Sequence, residues 1–387
     1  MNTPTQTQTP SKLIEIRNKL NQIFVAREAE VDAIIVGLLS REPVILVGAP
    51  GTAKTALIES LGKLVGGKVF TYLLSRFTEP DELFGALDIK AYREGKIQRV
   101  INNTILTANI VFLDEIFKAS SAIRNTLLRV LNEREYRYGD QVVKVEWLGF
   151  YTASNEISAD AEDQAFYDRL VIRRFVKYVP NTAWKDLLIK GIEFEETNSL
   201  RPIVTIAEVK SLQAEVIRRF KAVKGNDAVL NKYIEAIARL QEKNVILSDR
   251  RKIKVLKVAS AFSLLYGSTA VSLDDVADAL RLVAIHSEDD VKKVEEVIAM
   301  VGLSEASMLM REIQTLITEL KNVTAKIRET RDLNEFRELR RQGKVLIKEL
   351  IARIKRLQDT PRASSIIGEV EALINDFKES VAKALGD

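Results

Sequence analysis

The chain has 387 residues, 46% of them apolar, a formal net charge of +4 and no cysteine. Disulfides, thiol catalysis and cysteine-ligated metals are excluded, and the single histidine, His286, cannot form a histidine metal cluster and is expected on a helix face. So small an excess of positive charge on so heavily charged a chain does not call for nucleic acid, and no stretch approaches a membrane span, so a soluble, cytoplasmic protein of two or three domains is expected.

Residues 1–11, opening MNTPTQTQTP, read as a polar disordered tail and not as a signal peptide. Residues 12–180 alternate helix-like segments with short apolar strands: VILVG at 44, VFTYLL at 69, IVFLD at 110, LGFYTAS at 148 and RFVKYV at 174. That alternation predicts an α/β fold with a doubly wound parallel sheet. The first strand runs into Gly48, Ala49, Pro50, Gly51, Thr52, Ala53, Lys54 and Thr55, with Ala56 already in a following helix. Glycines let a backbone wrap closely around phosphate, and amides at a helix start point at negative charge. Lys54 supplies a compact cation for the terminal phosphates, and Thr55 offers a hydroxyl to Mg2+. Ala53 stands where the general GxxxxGK[ST] pattern has its last glycine, which weakens the motif taken alone. The strand at 110 ends in Asp114 and Glu115, placed to hold the magnesium shell and to activate an attacking water respectively. In this order the two motifs predict a site that binds and hydrolyses ATP with Mg2+.

Two stretches interrupt the βα alternation. EGKIQRV at 94–100 is a candidate hairpin, and REYRYGDQVVKVEW at 134–147 alternates apolar and polar residues around Gly139 and Asp140. From 181 to 303 apolar residues recur at helical spacing, predicting an all-α lid subdomain with capping boxes at Thr205/Glu208 and Ser272/Asp275. Beyond 304 the helices become long and charged. Leu309, Ile313, Leu316, Leu320, Val323 and Ile327 form a heptad seam, Asp332 and Glu335 sit at capping spacing for a second helix, and Pro361 ends it before a third. A C-terminal helical bundle or coiled-coil hairpin is predicted over 304–387. Its run of Arg337, Arg340, Arg341 and Lys344, interleaved with glutamates, reads as a solvated face.

GAPGTAKT, LSRFTEPDELFG, VFLDEIFKASSAIRNTLLRVLNEREYRYGDQVVKVE, TASNE, AFYDRLVIRRF and SDRRKIKVLKVASAF together resemble, in order, the MoxR group of AAA+ ATPases, most closely the RavA type. The resemblance spans about residues 12–300, and within it alanine is usual at position 53. It implies an AAA+ core and assigns Asn155 to sensor 1, which holds the attacking water and γ-phosphate. It assigns Arg169 to the arginine finger, reaching a neighbouring subunit's nucleotide, with Arg173 and Arg174 as alternatives. Arg250 matches sensor 2, bringing the lid down on bound ATP, with Arg251 as the alternative. Phe24 to Glu28 match the stretch beside the purine. The two insertions are expected to face a pore or a partner. The likeness further implies a homo-oligomer, a hexameric ring, a von Willebrand factor A domain partner and a protein client for chaperone-like remodelling. Nucleic acid is not expected as a partner; a nucleic-acid motor or DNA-associated AAA+ regulator is the alternative. The small β-containing module of the RavA type has no counterpart in the pattern after 304.

Overall fold

The computed structural model describes residues 9–158, 160–196, 200–330, 332–358 and 364–385. The chain divides into two compact units, residues 1–295 and 296–387. In the first unit the strands are β1 (Val44–Val47), β2 (Val69–Leu73), β3 (Ile110–Asp114), β4 (Glu135–Tyr138), β5 (Gln141–Lys144), β6 (Gly149–Ser154) and β7 (Ile172–Phe175). Five of them form one parallel sheet in the order β2-β3-β6-β1-β7. β1 and β6 are buried along their whole length, and β3 up to its last residue, as expected for a parallel sheet covered by helices on its faces.

Four strands lie within a residue of their sequence positions. β7 does not: it starts at Ile172, ahead of the expected RFVKYV, and its register pairs Val44 with Ile172. Two consecutive arginines disguise it. Arg173 points into the core at 1% exposure, a burial that composition gives no reason to expect.

The second insertion is the predicted hairpin, β4 and β5 joined through Gly139 at φ +55. The first is not a simple hairpin. Asp88 caps a short helix, Ile89–Arg93, by accepting from the amides of Lys90 and Ala91, so antiparallel pairing is confined to a few residues around the Leu87–Arg99 bridge. Its returning strand docks on the second insertion, where the Asp140 amide donates to the Ile97 carbonyl (3.3 Å) and Gln141 accepts from the Arg99 amide (3.0 Å). The two insertions are therefore one structure.

Helices from Trp184 to Val283 complete this unit, with capping boxes at Thr205/Glu208 and Ser272/Asp275 as predicted. They do not separate from the sheet as an independent unit. The first helix already starts at Thr9, inside the segment expected to be a tail.

In the second unit, helices Glu305–Glu329, Leu333–Gln358 and Ser364–Leu385 bury the predicted seam, Leu309 to Ile327, against Phe336, Leu350, Val370 and Phe377. Asp332 Oδ1 accepts from the amides of Asn334 (2.7 Å) and Glu335 (3.1 Å), which starts the second helix as its spacing predicts. Pro361 lies outside the described residues. Arg337, Arg341 and Lys344 are exposed, and Arg341 pairs with Glu338. Among the described residues after 304 there is no strand, and among the described residues of the chain no helix is long and apolar enough to cross a membrane.

Candidate functional site

The carboxyl ends of three adjacent strands, β3, β6 and β1, bring the two sequence motifs together. Gly48 follows β1, and its amide donates to the Ser154 carbonyl of β6 (3.0 Å), one residue before Asn155. Leu113 pairs with Thr152, which sets Asp114 and Glu115 beside the same strand end. In open α/β sheets this edge is where ligands bind.

Gly48 has no room for a side chain, because a Cβ there would lie 2.2 Å from the Val176 carbonyl oxygen. Gly51 turns at φ +76, and Ala53, also left-handed at φ +64, leads directly into the helix Lys54–Leu64. A left-handed alanine costs about 1 kcal/mol relative to glycine, an expense tolerated here by the loop's geometry. Lys54 is buried at 7% exposure, and its Nζ donates to the carbonyls of Gly48 (2.7 Å) and Ala49 (3.0 Å) and to Thr52 Oγ1 (3.4 Å). Burial lowers its pKa, opposed by the charges of Asp114 and Glu115, while nearby Arg27 lowers it further. The ammonium is thus held on the phosphate loop within the field of both carboxylates.

Glu115 is left-handed as well (φ 54), an uncommon conformation for a residue other than glycine. It turns the carboxylate toward β6, where Asn155 Nδ2 donates to Glu115 Oε1 at 2.5 Å. Lys118 Nζ lies 3.5 Å from the same oxygen. Asp114 Oδ1 accepts from the Glu115 amide (2.9 Å), which orients the first acid by the backbone of the second. With Thr55 half-buried at the helix start, the donor set suits Mg2+ and a triphosphate: hydroxyl, carboxylate and loop amides, with no soft ligand.

Beside the loop, Ala26, Arg27 and Glu28 line a cavity of about 710 Å3 together with Lys177 and Tyr178, and Tyr178 Oη donates to the Pro50 carbonyl (3.4 Å). Phe24, expected in the same stretch, packs instead on Phe194 with ring centroids 5.9 Å apart. Arg27, Lys118 and Tyr178 were not legible as site residues. Only Arg27 carried a signal, its place within the Phe24 to Glu28 stretch.

The arginines sort by what their donors already hold. Arg173 Nε donates to the Leu170 carbonyl, Nη1 to Ile285 and to His286 Nδ1, and Nη2 to Tyr167, with the guanidinium 3.6 Å from the Tyr167 ring centroid. Arg251, fully buried, donates to the carbonyls of Asp168, Leu170, Val171 and Val283. Arg174 pairs with buried Glu30 (2.9 Å). The Arg169 side chain, by contrast, is half-buried and makes no hydrogen bond among the described residues, and Arg250 is exposed, 3.7 Å from Asp168.

Arg169 and Arg250 line one cavity with Pro43, Leu148 and Val171, the residues that precede β1, β6 and β7. They therefore sit at the amino edge of the sheet, one strand length, about 13 Å, from the edge that carries Lys54 and Glu115. Arg250 does not approach the phosphate loop of its own chain, contrary to the expectation that it closes the lid on its own nucleotide. Its helix, Asp249–Leu265, starts against Asp168 and holds it at the far edge.

His286 is in the turn between helices Leu273–Val283 and Glu288–Val301, not on a helix face. Its Nδ1 accepts from Arg173 (2.8 Å), so the proton is on Nε2, which donates to the Ile246 carbonyl (3.0 Å). Burial, then the charges of Arg173 and Arg251, push this imidazole down to about 4 from 6.5, against the opposing charge of Asp290. The folded state binds fewer protons than the unfolded chain between those values, so stability present above pH 6.5 is lost as pH falls toward 4. In His286→Gln, which keeps an acceptor and a donor, the unfolding midpoint is expected to depend less steeply on pH across this window. Equal slopes in chemical denaturation would remove His286 from the linkage.

Residues 11–214 match a family model described as the MoxR domain in the MoxR-vWA-beta-propeller ternary systems. An uncharacterised protein of Methanocaldococcus jannaschii is 32% identical over 316 residues, 80% of each chain. The chaperone MoxR1 of Mycobacterium tuberculosis is 32% identical over 124 residues, 31% of each chain. The crystal structure of a candidate ATPase from Cytophaga hutchinsonii superposes with a TM-score of 0.61 at 15% identity, covering 76% of this chain and 95% of that one, and shares the fold. A phosphate loop with alanine before its lysine, an acidic strand end and an asparagine just past the strand between them meet in one sheet edge here, and with these matches the chain belongs to the MoxR family of AAA+ ATPases.

Proposed function

We propose that this chain hydrolyses ATP with Mg2+ at sites shared between subunits of a head-to-tail ring, and that the cycle remodels a partner protein. The observation that carries it is the 2.5 Å contact between Asn155 and Glu115, beside Lys54 and Asp114, with Arg169 and Arg250 held at the opposite sheet edge. Lys54 and the loop amides bind the triphosphate, Thr55 and Asp114 hold Mg2+, and Glu115 with Asn155 orients and deprotonates the attacking water. The Mg2+ that Thr55 and Asp114 would hold would supply neutralising charge for the triphosphate. A neighbour's Arg169 stabilises charge on the transferring phosphoryl group, and Arg250, on the same edge, acts on that same nucleotide. A heterologous interface of this kind closes into a ring when the rotation between subunits closes, and six subunits is the size we favour.

The matched family model describes systems that include a vWA protein, which supports a von Willebrand factor A domain partner, and MoxR1's description as a chaperone supports a protein client. The RavA-type likeness of the motifs supports the core alone, since the described residues after 304 are helical.

The test is Mg2+-dependent phosphate release by the purified chain, expected to vanish in Lys54→Ala together with nucleotide binding. Turnover that persists in Lys54→Ala sinks the reading, and turnover that requires DNA would replace it with a nucleic-acid motor.

A further inference from the structure

Behind Arg169 and Arg250 the amino-edge cavity, about 690 Å3, carries a second set of cations. Seven of its lining side chains are basic and two are acidic. Arg41 and Arg134 each end a helix in the left-handed conformation, at φ 55 and φ 56, and Arg134 Nη2 donates to the Arg41 carbonyl (3.0 Å). Arg41 Nη2 donates to the Trp147 carbonyl (3.3 Å), while its Nε is buried with no acceptor among the described residues. Among the described residues neither guanidinium forms an ion pair. The buried acid of the cavity, Glu42, takes both Lys254 and Lys257 at 2.6 Å each, and the other, Glu146, is exposed and taken by Lys210.

The cluster is strained electrostatically. Burial and then the charge of Arg41 lower the pKa of Arg134, and burial lowers that of Lys257, with Lys254 and Arg134 adding to the shift against Glu42. Four cations around one carboxylate, partly withdrawn from water, are destabilising unless an anion completes them. Two planar guanidinium forks and two ammonium groups from residues lining one cavity suit a tetrahedral dianion, which can accept from several donors at once.

We propose that this cavity binds a phosphate-type dianion through Arg41, Arg134, Lys254 and Lys257, at the end of the sheet opposite the phosphate loop. The shared chemistry is a phosphate group, and its source is inorganic phosphate or the phosphate chain of a nucleotide. The site goes beyond the hydrolysis reading, since none of these four residues has a part in it.

The experiment uses the full-length chain carrying Lys54→Ala, so that its own phosphate loop does not report. Thermal unfolding is followed against inorganic phosphate, with sodium chloride at equal ionic strength as reference, and separately against ADP. Phosphate is expected to raise the midpoint saturably where chloride does not. Adding Arg134→Gln is expected to leave the midpoint without phosphate unchanged or higher, because repulsion is relieved, and to weaken phosphate binding about tenfold or abolish it. Lys254→Gln, which leaves Lys257 on Glu42, gives the same loss and guards against a folding defect in the first variant. Stabilisation by ADP alone, lost in Arg134→Gln, supports the site with a nucleotide as its source. No response beyond chloride to either ligand overturns the proposal, as does a response in Arg134→Gln and Lys254→Gln equal to that of the parent Lys54→Ala chain. The readout is binding without turnover, so failure of the ATPase reading leaves it standing and its own failure leaves that reading untouched.

Discussion

Glu115→Gln is expected to stop ATP turnover while nucleotide stays bound. The substitution is nearly isosteric, and the new amide keeps an oxygen to accept from Asn155 Nδ2, so the 2.5 Å contact that positions the pair can survive. What disappears is the negative charge and the basicity that prepare water for attack, worth about 10²–10⁴ in rate for a positioned general base. Affinity for ATP should hold or rise, because a carboxylate beside the triphosphate has gone and Lys54 loses one of its two opposing acids. The left-handed backbone at position 115 suits glutamine no worse than glutamate, so the midpoint of unfolding should move little. Equilibrium binding of a fluorescent ATP analogue and steady-state phosphate release measure the two effects separately. Turnover within a few-fold of the parent chain would transfer the base to another group, and lost binding would make Glu115 a structural residue.

Much of this site could be read from sequence because each motif is local. A strand, a glycine turn and a helix start must follow one another within a few residues, so the spacing from Val44 to Thr55 already fixes where Lys54 lies. Three things were not local. Arg173 and Arg174 break the apolar pattern of β7, yet the first is buried because four carbonyl and ring acceptors around Tyr167, Leu170 and His286 wait for it. Arg250 and Arg251 are neighbours on one helix, about 100° apart around its axis; that rotation sends Arg251 into the core and Arg250 to the cavity. EGKIQRV has a glycine turn, but Asp88 captures the preceding residues into a helix before a full hairpin can form. In each case the decision lies with a partner remote in sequence or with a cap that competes with the ladder.

Arg169→Ala is expected to reduce turnover about 10³–10⁵-fold, the range for removing an arginine finger. The chain should still fold and still bind ATP: the Arg169 side chain makes no hydrogen bond among the described residues, and burial together with Arg250 lowers its pKa, so removing it relieves a cost. The decisive measurement is complementation. A site in the proposed ring takes Lys54 and Glu115 from one chain and Arg169 from the next, so Glu115→Gln and Arg169→Ala damage opposite faces of the subunit. Each variant alone is inactive in this scheme. Mixed in equal amounts and allowed to exchange, they place an Arg169→Ala chain's intact Glu115 against a Glu115→Gln chain's intact Arg169 at about one interface in four. Activity should therefore return on mixing, and it should fail to return for Glu115→Gln mixed with Lys54→Ala, which damage the same face. If Arg169 served its own chain's nucleotide, no mixture of the two would recover turnover, because every subunit would carry one defect in its only site. The sheet argues for the first outcome: β1 lies between Pro43, beside Arg169, and Gly48, beside Lys54, and a four-residue strand cannot bring its two ends to one ligand.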